Sequence, residues 1–257
     1  MNRSAIFIGL VATATLSVAG AIGLLACTAQ AAEAPHAATA GMFPVRSEIS
    51  QTPAQESVPV YVPPRRGAPK DVAAAATRGA IAPRLKVLAP NHAVLTVVAQ
   101  PTLYIYTQGA GWLQVRVKRA SDAGAGFTSA RIEIKDPAAI RPVALAELGV
   151  ALDPGDEYRV TVMSYDRGGT VRATDSVLIE RIAAPVELSV MTTGRPASAQ
   201  ANAFASAGIW FDALDAISRA IDGAPGSAGP RRGRAALLEQ IGMKEIASFD
   251  RKGMPQG

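Results

Sequence analysis

Between residues 85 and 183 the chain alternates apolar and polar side chains, and this alternation restricts the fold more than any other feature. In LQVRVK, Leu113, Val115 and Val117 fall on one side and Gln114, Arg116 and Lys118 on the other. In ARIEIK, Ile132 and Ile134 oppose Arg131, Glu133 and Lys135. A period of two with one polar face is the pattern of strands that bury one side only. LKVL, AVLTVV, TLYIYT, YRVTVMSY and SVLIERI are further short runs rich in Val, Ile, Tyr and Thr. Turn residues separate the runs: Gly109-Ala110-Gly111, Gly124-Ala125-Gly126, Asp153-Pro154-Gly155 and Asp166-Arg167-Gly168-Gly169. Glycine supplies the positive backbone angles of tight turns, and proline before glycine presets one. About seven strands at roughly ten-residue spacing predict an all-β sandwich over 85–183.

One corner narrows the sandwich type. The stretch Leu152 to Val160, LDPGDEYRV, resembles the segment that leads into the sixth strand of immunoglobulin and fibronectin III-like domains. There a buried Tyr hydroxyl bonds back across the corner, and Tyr158 holds the matching position as a structural residue.

Ala183-Ala184-Pro185 ends the last strand, and the period turns helical over 184–243, giving an α+β chain overall. In ASAGIWFDALDAISRAIDGAP, Phe211, Leu214, Ile217 and Ile221 recur at steps of three and four, with Ala213 and Ala220 beside them. Gly208 is a poor helix-interior residue and reads as the turn between helices at Ala197–Ala207 and Phe211–Ile221. This resembles a tetratricopeptide hairpin, with Gly208 at the turn, Ala213 where the helices touch and Pro225 closing the repeat. A partial second copy follows 34 residues on: Ala201 to Ala235, Phe204 to Leu238 and Gly208 to Gly242. It is expected to stop after its first helix, leaving 244–257 as a frayed tail. So few repeats cannot bury their own apolar face, so the helices are expected to dock on the sandwich. A groove for another protein's peptide is the alternative, with Trp210 and Phe211 as possible contact residues. The polar face carries Asp212, Asp215, Ser218 and Asp222, which disfavours an anionic membrane surface.

The N-terminus reads as an export signal. A short basic start with Arg3 precedes an uncharged apolar run from Ala5 to Ala26. Ala29 and Ala31 suit a signal-peptidase pocket, giving a signal peptide over 1–31 cut between Ala31 and Ala32. Leu24-Leu25-Ala26-Cys27 also fits a loose lipobox with Cys27 lipidated, and an uncleaved anchor is a third route. Each predicts an exported, periplasmic or cell-envelope protein. Cys27 is the only cysteine, so no disulfide framework supports the domain and packing must hold it. Residues 32–57 are poor in large apolar groups and read as a disordered tether. Pro59, Pro63, Pro64 and Pro69 then impose extended geometry on an arm over 58–84. Arg65 and Arg66 within it are possible contacts for an anionic polymer or a protein partner.

The chemistry-bearing residues are few. Acyl-transfer chemistry needs a nucleophile with an adjacent base, yet the two His residues are His36, in the tether, and His92, between strands. No Cys/His cluster suits a metal, no strand-to-helix phosphate loop occurs, and no cofactor is expected. Glycosidase carboxylates are set by tertiary separation and stay open. The formal charge is +5, with Lys and Arg dispersed, so nucleic acid is not an expected partner.

Val62-Pro63-Pro64-Arg65-Arg66-Gly67-Ala68-Pro69 with Thr77-Arg78-Gly79 looks like the opening signature of a known group. Leu88-Ala89-Pro90, Pro101-Thr102 and Tyr104-x-Tyr106 look like its first strands. Ala207-Gly208-Ile209-Trp210-Phe211-Asp212-Ala213-Leu214 looks like its ending, with Ile241-Gly242-Met243 behind. The chain thus resembles, over residues 60 to 243, the exported bacterial family known as domain of unknown function 928. That resemblance implies export and a shared fold, and assigns no catalytic residue. Two functions are carried forward. One is a non-catalytic envelope module that binds or scaffolds a protein. The other is a binding protein for an envelope polysaccharide or peptide, using Trp112, Tyr104, Tyr106 and the Arg65-Arg66 arm.

Overall fold

The computed structural model describes residues 58–64, 84–124, 126–136 and 138–253, all within one compact unit spanning Gln51–Gly257. Ala31, Ala32, Cys27, Arg65 and Arg66, named above for cleavage, lipidation and contact, lie outside the described residues, as does the tether.

Among the described residues, nine strands form two sheets. In the smaller, β3 (Thr102–Gln108) lies between β1 (Leu85–Val87) and β7 (Ala138–Ala144). In the larger, β2 (Val94–Thr96) pairs parallel with β9 (Val171–Arg181), and β8 (Glu157–Tyr165) and β4 (Gly111–Arg119) follow. The far edge of β4 takes β5 (Phe127–Thr128) and β6 (Ile132–Ile134). Leu103 and Ile105 of β3 share a core with Leu113 and Val115 of β4, Val160 and Val162 of β8, and Ile179 of β9. The sheets are therefore sandwich-like, as their alternation requires. Asp175 of β9 ties the two sheets together: its carboxylate accepts the Val87 amide at 2.8 Å and pairs with Lys86 at 3.1 Å.

Seven of these strands coincide with the expected runs; β5 and β7 do not. β7 contains Pro142, which cannot donate to a ladder, and it sits on a sheet edge where that loss is tolerated.

β3 buries both faces. Leu103 and Ile105 face the larger sheet, while Tyr104 and Tyr106 point the other way, into a layer of helices. This layer comprises α1 (Val186–Thr192), α2 (Ala197–Ser206), α3 (Trp210–Gly223), α4 (Ala228–Gln240) and α5 (Lys244–Lys252). The Tyr104 hydroxyl donates to Asp215 of α3 at 3.1 Å, and Tyr106 meets Phe249 of α5 edge-on at 5.2 Å. The helices thus dock on the sandwich, and one apolar cluster runs through all three layers.

Of the tail expected to be frayed, residues Lys244–Lys252 are ordered as α5, and 254–257 lie outside the described residues. α5 is helical, with Ile246 and Ala247 buried. Its Asp250 takes a bidentate pair from Arg234 of α4, at 2.8 and 2.5 Å, and the third Arg234 nitrogen donates to Ser218 of α3 at 3.1 Å. α4 is therefore followed by a further helix, which a buried ion pair anchors. Two backbone bonds recur in the turns after α2 and α4. Gly208 N–H donates to Ala205 and Ile209 N–H to Phe204; Gly242 N–H donates to Glu239 and Met243 N–H to Leu238.

The start of the arm is built into the helical layer. Val58, Val60 and Val62 are exposed, while Pro59 and Tyr61 are buried. Tyr61 N–H donates to the Gln240 side chain at 2.7 Å, which returns a bond to the Pro59 carbonyl at 3.0 Å. Val62 N–H donates to Ala205 at 3.1 Å. Gly208 is required on two counts: its φ is +76°, and a Cβ there would lie 2.8 Å from the Val62 carbonyl oxygen. Among the described residues, no helix is long and apolar enough to cross a membrane.

Candidate binding cleft

Three of the expected contact residues are structural. Trp210 is fully buried; its indole N–H donates to the Leu88 carbonyl at 2.7 Å and Tyr61 covers it edge-on at 4.9 Å. A helix that starts on its largest aromatic gains core area directly, and burying such a ring outweighs any use of it at the surface. Tyr104 and Tyr106 are likewise buried. The Tyr104 phenol is pushed upward, first by burial and then by the Asp215 carboxylate.

Trp112 is half-buried on the outer face of the larger sheet. Tyr165 stacks on it from β8, with centroids 3.8 Å apart, and Arg131 reaches it from the β6 side at 4.4 Å. With neighbours from both flanking strands, the ring offers no free face to a sugar.

Tyr158 is buried. Its hydroxyl accepts the Asp153 amide at 3.0 Å and donates to the Asp153 carboxylate at 3.2 Å. Arg119 closes this corner by pairing with Asp153 and Asp156. Ala213 is buried in α3, and Pro225 follows its end. His92 holds the Tyr61 hydroxyl at 3.4 Å, and its other ring nitrogen lies 2.9 Å from the Ala93 carbonyl.

One cleft, about 350 Å³, lies where the β2–β3 connection meets the helices. Val98, Gln100, Pro101 and Thr102 make one wall. The turn after α1 contributes Thr192, Thr193 and Gly194. Helices α2 and α3 supply Gln200, Phe204, Phe211, Asp212, Asp215 and Arg219. Phe211, expected as a contact residue, is buried but does line this cleft.

Its charges are unequally served. Asp215 accepts from Tyr104 and pairs with Arg219 at 2.9 Å, while Arg219 also donates to Gln200 at 3.2 Å. Asp212, one turn earlier, is 6% exposed, and neither of its carboxylate oxygens has a hydrogen-bond partner. Burial pushes its carboxyl up to about 6. The Thr96 hydroxyl and the Val97 amide lie near enough to draw it partly back, but neither reaches hydrogen-bond geometry. The Thr96 oxygen is itself engaged, accepting the Val98 amide at 3.2 Å.

Sequence reasoning placed Asp212 on a solvated polar face. The overlooked signal was Asp212 immediately after Trp210-Phe211, a pair that must enter a core and brings its neighbour along. Among the described residues, no group of three or more His, Cys, Asp or Glu side chains could hold a metal ion.

Several solved structures are similar over parts of the chain. A fibronectin(III)-like module of CbhA from Clostridium thermocellum is 15% identical, covering 39% of this chain and 99% of that one, with a TM-score of 0.28. WR4, an MSP family member from C. elegans, is 12% identical over 39% and 98%, with a TM-score of 0.22. Astrotactin-2 is 14% identical over 61% of this chain and 32% of its own, with a TM-score of 0.24. No curated protein sequence matches. The sequence model that does match covers residues 66–250, across the sandwich and almost all of the helical layer, and the chain belongs to that family, the Domain of Unknown Function (DUF928) family.

Proposed function

We propose that this protein is a non-catalytic binding module of the cell envelope that holds a protein or peptide partner in the cleft between its sandwich and its helices. One observation carries the reading: a concave site with aromatic and threonine walls contains a buried carboxylate that nothing in the fold satisfies. The frame is read as fibronectin III-like, on the strength of the Tyr158 corner. The helices are read as two tetratricopeptide-like hairpins, α2–α3 and α4–α5, on the strength of turn bonds repeated 34 residues apart.

Two other readings are weaker. Glycoside cleavage needs two carboxyls flanking the scissile bond from opposite sides. Asp212 and Asp215 stand three residues apart on one helix and so share one wall. No Ser/His or Cys/His pair lines the cleft. A polysaccharide would want open aromatic faces, and Trp112, Tyr104 and Tyr106 have none to offer.

Two measurements test the proposal. Thr193 is exposed at the rim, so Thr193→Trp fills the cleft without touching the core. A photo-crosslinker at Gln200 should yield a specific adduct in the envelope, and Thr193→Trp should abolish it; an adduct indifferent to the blocking change refutes the reading. For export, mass spectrometry of the mature protein should find Ala32 at the N-terminus. A lipidated Cys27 at the N-terminus would mean processing at the lipobox instead, and an intact Met1 would leave the uncleaved anchor.

A further inference from the structure

The cleft is one positive charge short. The charged groups that line it are Asp212, Asp215 and Arg219, a formal sum of −1. The β2–β3 wall and the turn after α1 bring no charged group to it. Arg219 cannot serve both carboxylates, because Asp215 and Gln200 already hold it. Asp212 is left buried with two empty acceptor oxygens. A buried charge is normally paired or neutralised. Here neither carboxylate oxygen has a hydrogen-bond partner, and Asp212 is among the residues that line the cavity.

Building on the binding-module reading, we propose that the cleft is a binding site for a primary alkylammonium group, of the kind that ends a lysine side chain, with Asp212 as its counter-ion. An ammonium has three donors and no acceptor, matching an acceptor-only carboxylate beside threonine hydroxyls. Phe204 and Phe211 line the same space and suit both the apolar stem and the cation. A divalent metal would meet a net charge of only −1. The ligand competes with a proton for Asp212, so affinity should rise as the pH climbs through about 6. Asp215 adds to Asp212's hold on its proton, and among the described residues Arg219 is the cation that lines the cleft.

The test is calorimetric titration of the full chain with n-butylammonium at pH 7.5 and pH 5, with n-butanol as the neutral isostere. Saturable amine binding is expected at pH 7.5, at least tenfold weaker for the alcohol and about tenfold weaker at pH 5. Asp212→Asn should abolish amine binding while its thermal melt shows a folded protein; should that variant fail to fold, Phe204→Leu should weaken the amine several-fold. Equal binding of amine and alcohol, full affinity in Asp212→Asn, or no amine binding at all overturns the inference. In the last case, an adduct still lost in Thr193→Trp would leave the partner reading standing on its own. Conversely, amine binding that Asp212→Asn abolishes upholds the site even where the crosslink ignores Thr193→Trp, and only the partner reading then falls.

Discussion

Two carboxylates are buried in the helical layer, and they are treated in opposite ways. Asp250 is gripped by both arms of the Arg234 guanidinium, whose remaining nitrogen reaches Ser218. Neither oxygen of Asp212 has a partner in hydrogen-bond geometry. Both are almost completely removed from water. The first arrangement locks α3, α4 and α5 together, with its partners supplied within the fold. The second lines a cavity, with its partner missing. The contrast separates a charge buried for architecture from one held ready for a visitor.

The comparison breaks most visibly at Asp250. Asp250→Ala strands the buried Arg234 charge and should cost about 3–5 kcal/mol in denaturant unfolding. A loss below about 1 kcal/mol would put the two sites on an equal footing. The next effect is in pH. Asp212 has a folded pKa of about 6 against an ordinary value of 3.8, so the folded state holds its proton more tightly. The stability it contributes is complete below about pH 4 and is lost as pH rises through about 6, roughly 3 kcal/mol in all. The difference between wild type and Asp212→Asn, followed from pH 4 to pH 7, should show that slope; a flat difference contradicts it. At pH 7 alone, Asp212→Asn should gain about 1–2 kcal/mol, since the amide is still buried without partners, and raise Tm by a few degrees. Asp250→Asn should move Tm downward. The smallest effect belongs to the sandwich: Tyr158→Phe removes the corner hydroxyl and should cost about 1 kcal/mol, read from the same melts.

The sandwich was legible because strand alternation is local, and LQVRVK states its own faces. β7 escaped because Pro142 and Arg141 interrupt its pattern, and only an edge position makes them acceptable. The two helical turns were legible from Gly208 and Gly242. The last helix was not, since its anchor joins Arg234 to Asp250 across two elements and no local period records that. Trp210, expected just before a helix at Phe211–Ile221, instead opens α3, and its burial against Leu88 and Tyr61 is a tertiary fact. The cleft was least legible of all. It depends on β2–β3 loop residues meeting α3, and on a polar helix face being covered rather than solvated.

The short arm at Pro59 to Val62 has a consequence in time. Tyr61 is fixed by Gln240, and its ring closes over Trp210, so this segment waits for a residue 179 positions further on. Contacts of such long sequence separation form late, because the loop between them must first be closed. The helical layer can therefore be sealed only once Gln240 has been made, whereas every strand of the sandwich is already available by Arg181.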